Sequence, residues 1–188
     1  MADDAELTAW ALAAGRGDRA AAACFVRATQ QQVRRFLAAL VTPHEADDLT
    51  QETFLRAMRS LPSYAGRSST RTWLLAIARR VAADHVRTVT SRPRTVPMPD
   101  GYDVPDPARS GFDRQVVLER LIAALPRDRR EAFVATQVLG LSYAEAAEVC
   151  GCPVGTIRSR VARAREDLVA AVRSWSEPDT GRGGDATG

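Results

Sequence analysis

The chain has 188 residues, 45% of them hydrophobic but only 6% aromatic, with a formal net charge of +3. That length admits one medium domain or two small ones, and the aromatic-poor, alanine- and leucine-rich composition favours helix packing over a β-sandwich. No apolar run approaches the ~20 residues of a membrane span. The acidic N-terminus (Asp3, Asp4, Glu6) is unlike a secretory leader, and three cysteines suit a reducing cytoplasm better than a disulfide framework. All 26 basic residues are arginine, which reads as genomic composition bias rather than as a device.

In chain order, a first helix is expected over about Glu6–Ala14, broken at Gly15-Arg16-Gly17. Asp18 then caps a second helix reaching about Val41, with Phe25, Val33, Phe36, Leu37 and Leu40 toward a core. A third covers about Glu45–Ser60. Its apolar line is Ala46, Leu49, Thr53, Phe54, Ala57 and Leu61, and its opposite face carries Asp48, Gln51, Glu52, Leu55 and Arg59. A leucine within an acidic and amide patch suits a protein-docking surface.

A loop over Leu61–Ser69 leads to a fourth helix, about Thr70–Thr90, with Leu74, Ile77, Ala78 and Val81 as its buried stripe. Around it stand Tyr64, Arg67, Ser68, Ser69, Arg71, Trp73, Arg79, Arg80 and Arg87. Arginines beside a small-residue loop and aromatic rings suit single-stranded DNA, with charge tracking the phosphates while a base leaves the stack. Trp73 fits either a core position or a stacking surface.

From Ser91 to Gly111 the chain is rich in proline and has little to bury, as expected of a flexible linker. Helices resume near Phe112, with Val117, Leu118, Leu121, Ile122 and Leu125 as a stripe. Pro126 interrupts, and Asp128 is placed to cap a helix reaching about Leu139. Ser142 and Glu145 then stand as a capping box, Gly151 offers a left-handed C-cap and Pro153 prevents continuation. The next helix has Val154, Ile157, Val161, Ala164 and Leu168 on one side and Thr156, Arg158, Ser159, Arg160, Ala162, Arg163 and Arg165 elsewhere. Two short helices at a tight turn, the second basic, make a helix-turn-helix suited to the major groove. Residues 176–188 read as a disordered tail. The expected fold is all-α, two small helical domains on a tether.

Four blocks occur in order: Asp48-Leu-Thr-Gln-Glu-Thr-Phe-Leu-Arg-Ala57, Thr72-Trp-Leu-Leu-Ala-Ile-Ala-Arg79, Gly140-Leu-Ser-Tyr-Ala-Glu-Ala-Ala147 and Cys152-Pro-Val-Gly-Thr-Ile-Arg-Ser-Arg160. Together they resemble the extracytoplasmic-function group of the sigma-70 family of bacterial sigma factors, over about residues 6–173. The resemblance implies a sigma domain two over residues 1–90, a linker over 91–111 and a sigma domain four over 112–175. Asp48, Gln51, Glu52 and Leu55 would bind the largest subunit of core RNA polymerase. The loop Tyr64–Thr70 and the helix after it would capture and open the promoter −10 element. Arg80 stands where the family commonly has asparagine, which leaves the base it reads open. Thr156, Arg158, Ser159, Arg160, Ala162 and Arg163 would meet the −35 element. An anti-sigma partner is left open. The protein would act in the cytoplasm, at the nucleoid when in holoenzyme.

No nucleophile–base pair, phosphate-binding glycine loop or metal cluster supports catalysis, so neither enzyme activity nor a cofactor is expected. Cys150 and Cys152 form a C-x-C pair without a second ligand pair, and read as packing rather than as a metal or redox site. A one-component regulator with a sensor domain is the main alternative, and the proline-rich tether and the acidic docking face argue against it.

Overall fold

The computed structural model describes residues 3–91 and 114–176, with side chains described for 3–91 and 117–174. The expected linker falls almost wholly outside these residues, and so does the tail beyond Ser176. Among the described residues every regular element is helical: α1 (Asp4–Gly15), α2 (Arg19–Ala38), α3 (Pro43–Ser60), a 3-10 turn (Leu61–Ser63), α4 (Thr70–Ser91), α5 (Arg114–Ala124), α6 (Arg127–Phe133), a π-helical turn (Val134–Val138), α7 (Tyr143–Cys150) and α8 (Val154–Ser176).

Local chemistry sets most of the boundaries. Asp3 and Glu6 make a reciprocal capping box at the start of α1, and the Asp18 carboxylate accepts from the amides of Ala20 and Ala21 to start α2. Pro43 opens α3 as its first residue, where a missing N–H is harmless, with Thr42 and Glu45 as the capping box. Ser69 caps α4, its hydroxyl accepting from the amide of Thr72 at 3.1 Å. The expected Asp128 cap is not formed; Pro126 takes the N-cap position of α6 and Asp128 lies in the first turn.

α1–α4 bury Phe25, Val33, Phe36, Leu37, Leu74 and Val81 almost completely, each such side chain worth about 1.5–3 kcal/mol of transfer free energy. Phe54 packs edge-on against Phe25, with ring centroids 6.4 Å apart. The second half is built around Ile157, Val161 and Ala164 of α8, packed on α6 and α7. Leu121 of α5 and Leu125 just after it are buried as expected, whereas Leu118 of α5 is exposed.

The two halves also touch. α4 packs against α7, and one cluster of buried side chains runs from α1 through α4 into α7 and α8. α4 accordingly buries two lines rather than one: the expected Leu74, Ile77, Ala78 and Val81, and also Leu75 and Ala82.

Candidate nucleic-acid and polymerase interface

On α3 the outward face is as the helical spacing requires. Asp48 and Gln51 are exposed, and Leu55 is 55% exposed despite its size. Glu52 is half-buried and accepts from Arg56 at 2.8 Å; Arg56 also donates to Asp84 of α4 at 2.8 Å, and Asp84 accepts in turn from Arg87. Arg56 and Asp84 thus tie the acidic face to the end of the basic helix. Their 28-residue separation hid this link from any local reading.

The loop between the 3-10 turn and α4 is more ordered internally than its small residues suggest. Gly66 has φ +66°, the left-handed region that favours glycine, while a Cβ there would meet nothing within 4 Å. The space around Gly66 is open, and glycine is required there by the backbone conformation rather than by a close neighbour. Tyr64 is buried, tilted against Trp73 with ring centroids 4.9 Å apart, and its hydroxyl donates to the Ser68 carbonyl at 2.8 Å. Tyr64 therefore shapes the loop from inside. Trp73 is half-buried and packs against the core. Ser68 and Ser69 are half-buried, with Ser69 committed to capping α4.

The arginines divide into two sets. Arg67 and Arg80 are exposed, and neither has a protein partner among the described residues. Arg71 is half-buried with its Nε buried and without an acceptor. Arg79 and Arg87 are both held: Arg87 by Asp84, and Arg79 by Glu131 of α6 at 2.9 Å.

Glu131 is only 3% exposed and also accepts from Arg127 at 3.1 Å. A carboxylate buried this deeply persists only when its desolvation is offset, here by two guanidinium groups, one from each half. Sequence reasoning missed Glu131. The only signal was the i, i+4 spacing of Arg127 and Glu131, and nothing local points to Arg79.

The helix-turn-helix forms as its punctuation requires, with Ser142 and Glu145 bonded reciprocally and Gly151 at φ 63°. Ile157 and Val161 hold α8 to its neighbours, which turns Arg158, Ser159, Ala162 and Arg163 outward. Arg158 and Arg163 make no hydrogen bond or ion pair among the described residues. Thr156 is half-buried and its carbonyl accepts from the Ser159 hydroxyl at 2.9 Å. Arg160 is half-buried and turns toward the exposed Asp128 at 3.2 Å, 3.7 Å from Cys152 Sγ. Cys150 is buried, and burial pushes its thiol up to about 12. A thiol held protonated is a poor metal ligand or redox nucleophile, which fits packing.

Family sequence models match at two places: Sigma-70 region 2 at residues 25–92 and Sigma-70 region 4 at residues 115–168. A probable RNA polymerase sigma-C factor of Mycobacterium bovis is 55% identical over 179 residues, which cover 94% of this chain and 95% of that protein. The chain belongs to the extracytoplasmic-function sigma factors. The ECF RNA polymerase sigma factor SigC of Mycobacterium tuberculosis matches at the same 55% over the same shares, and the ECF sigma-E factor of Haemophilus influenzae is 32% identical over 80% of this chain and 87% of its own length. Among solved structures, the sigma factor RpoE of Bartonella quintana, in complex with the anti-sigma factor NepR, superimposes with TM-score 0.62 at 27% identity, covering 79% of this chain and 94% of that one. CnrH, solved with the cytosolic domain of CnrY, shares the fold with TM-score 0.69 at 21% identity, over 92% of this chain and 99% of that one. As an RNA polymerase sigma factor, the chain serves promoter-specific initiation of transcription. Among the described residues no helix is long and apolar enough to cross a membrane.

Proposed function

We propose that this sigma factor docks on the largest subunit of core RNA polymerase through Asp48, Gln51, Glu52 and Leu55, opens the −10 element with the loop Tyr64–Thr70 and α4, and reads the −35 element with α8. In this reading residues 1–90 and 112–175 are the working units and 91–111 the tether. Arg67, Arg71 and Arg80 meet DNA on the −10 side, with Arg79 and Arg87 able to join once released by Glu131 and Asp84. Tyr64, Ser68, Ser69 and Trp73 shape and support that loop. On the −35 side Arg158, Ser159, Ala162 and Arg163 face the groove, while Thr156 and Arg160 steady the helix behind them. The protein supplies no covalent chemistry of its own, which belongs to the polymerase.

The observation that carries this reading is the face of α8 opposite Ile157 and Val161. Two guanidinium groups stand there in solvent with no acceptor among the described residues, on the second helix of a helix-turn-helix. Bidentate arginine–guanine contact is the commonest specific contact in the major groove. An anti-sigma partner belongs to this reading too, supported by the Bartonella quintana relative having been solved with one. The site of action is the cytoplasm, at the nucleoid in holoenzyme.

Run-off transcription from genomic promoter fragments with purified core polymerase tests the whole. Wild-type chain should give discrete promoter-dependent transcripts. Leu55→Arg should abolish them by weakening core binding by about 2–4 kcal/mol while leaving helix content unchanged. Wild-type core affinity in Leu55→Arg would remove α3 from the interface.

A further inference from the structure

We propose that Thr8 of α1, a helix outside all three surfaces above, is a positioning residue for promoter opening, acting through Thr70 and Tyr64 on the backbone of the loop 64–70. The proposal rests on reading that loop as the place where a −10 base leaves the duplex. Thr8 Oγ1 lies 2.9 Å from Thr70 Oγ1, and Thr70 Oγ1 lies 2.9 Å from the Tyr64 hydroxyl. Tyr64 in turn donates to the Ser68 carbonyl at 2.8 Å, and at the other end Thr8 is 2.8 Å from the Asp4 carbonyl. Thr70 is fully buried and Tyr64 nearly so. A continuous line of hydroxyls therefore joins the backbone of α1 to the backbone of the loop.

Proton counting gives this line four settings, one for each contact left without a donor, and the two extremes bear on the loop. Three hydroxyls bring three protons to four contacts, so one contact always lacks a donor. In the first setting Tyr64 donates to Ser68, Thr70 to Tyr64 and Thr8 to Thr70, leaving the Asp4 carbonyl to its helical bond. In the second every bond reverses: Thr8 donates to Asp4, Thr70 to Thr8 and Tyr64 to Thr70, and the Ser68 carbonyl is let go. Each hydroxyl donates one proton in both settings. The loop can thus release Ser68 without stranding a buried donor, the step that would otherwise oppose its movement. Without the Thr8 oxygen the second setting leaves the buried Thr70 hydroxyl with nothing to donate to.

α1 is seated firmly enough to serve as the anchor. A Cβ on Gly15 would fall 2.6 Å from the carbonyl oxygen of Leu61, so the end of α1 lies directly on the turn that leads into the loop. α1 also packs on α2 and α4. The far end of the loop is held independently by the Ser69 cap, so Ser68 is the point left free to be held or released. Arg67, exposed and without a protein partner among the described residues, precedes it.

The test assembles core polymerase with wild-type chain, Thr8→Val, Thr8→Ser or Arg67→Ala. Each is placed on a duplex promoter and on the same promoter with a pre-opened −10 bubble, and permanganate reactivity reports unpaired thymines. Thr8→Val keeps the shape of the side chain and removes its hydroxyl. It should slow opening of the duplex about tenfold, the equivalent of about 1.4 kcal/mol, and leave bubble-template transcription, core affinity and the melting temperature of the free chain near wild type. Thr8→Ser should restore opening. Thr8→Ala, which removes the same hydroxyl with a smaller side chain, should show the same split between duplex and bubble and stands in should Thr8→Val fold poorly. Wild-type opening by Thr8→Val, an equal loss on both templates, or failure of Thr8→Ser to rescue overturns the proposal. Arg67→Ala separates the two layers. If it opens the duplex normally, the reading of the loop falls and this proposal with it; if it is slow while Thr8→Val is not, only the role of Thr8 falls.

Discussion

The two long basic helices, α4 and α8, come from similar stretches of arginine, alanine and valine, yet they present their charges differently. α8 is buried along one line, Ile157, Val161 and Ala164, and leaves Arg158 and Arg163 bare. α4 is buried along two, with Leu75 and Ala82 added to the expected stripe, and it packs against α7 as well as against α1, α2 and α3. Glu131 of α6 meets Arg79, while Asp84 holds Arg87 within α4 itself. A basic helix is therefore available to an anionic partner according to how many neighbours it has, and not according to its composition. In the packed arrangement Arg158 and Arg163 of α8 stand open to solvent, whereas Arg79 is engaged by Glu131.

The largest expected effect comes from removing the carboxylate that makes the two helices unlike. Glu131→Ala leaves Arg79 and Arg127 facing each other in the crevice between α4 and α6. Loss of one partner of a buried pair destabilises by about 3–5 kcal/mol, and because both arginines are about a third exposed the low end of that range, about 3 kcal/mol, is expected. Urea denaturation of the full chain measures it, and Glu131→Gln should lose less because its carbonyl still accepts. An unchanged midpoint in both variants would mean that Arg79 is as free as Arg163.

A smaller effect sharpens the comparison from the other side. Arg163→Ala should leave the urea midpoint unchanged, since the exposed side chain makes no hydrogen bond or ion pair among the described residues, and should weaken −35 duplex binding by about 1–3 kcal/mol. Loss of preference at a single base pair marks a base contact. A uniform loss with a shallower salt dependence marks a phosphate contact. Full binding would exclude Arg163 from the groove.

The smallest effect concerns acid. Among the described residues, three carboxylates of the first half are held below their ordinary range. Hydrogen bonds from Thr42, then from His85, lower Glu45 to about 2; Arg34 lowers Asp47, and Arg56 with Arg87 lowers Asp84. Their charged forms are favoured by folding, so their contribution is complete above the ordinary carboxylate value of roughly 4 and fades as the pH falls through the folded values. For Glu45 that window runs from roughly 4 down to about 2. Thermal melts should show wild type more stable than Glu45→Gln at pH 7, with the gap closing across that window. No gap at pH 7 would show that the amide caps α3 as well as the carboxylate does, and a gap that stays constant with pH would show that ionisation of Glu45 does not carry it.

What the sequence determined by itself was whatever depends on residues within a turn or two. The Asp18 cap, the Ser142–Glu145 capping box, the left-handed Gly151 and the buried line of α8 were all legible, because a cap bonds three residues away and a helix repeats every three to four. The outward placement of Asp48, Gln51, Leu55, Arg158 and Arg163 followed from the same periodicity. Tertiary structure alone decided which of the exposed-looking charges are committed and what holds the loop. Arg79 meets Glu131 across 52 positions and Thr8 meets Thr70 across 62. Gly15 looked like a helix break and proves also to be the point where α1 lies on the Leu61 carbonyl. Tyr64 looked like a surface for bases and proves to be an internal strut. A periodic pattern records which side of a helix faces inward, but pairing across fifty residues depends on where whole helices come to rest, and no local spacing encodes that.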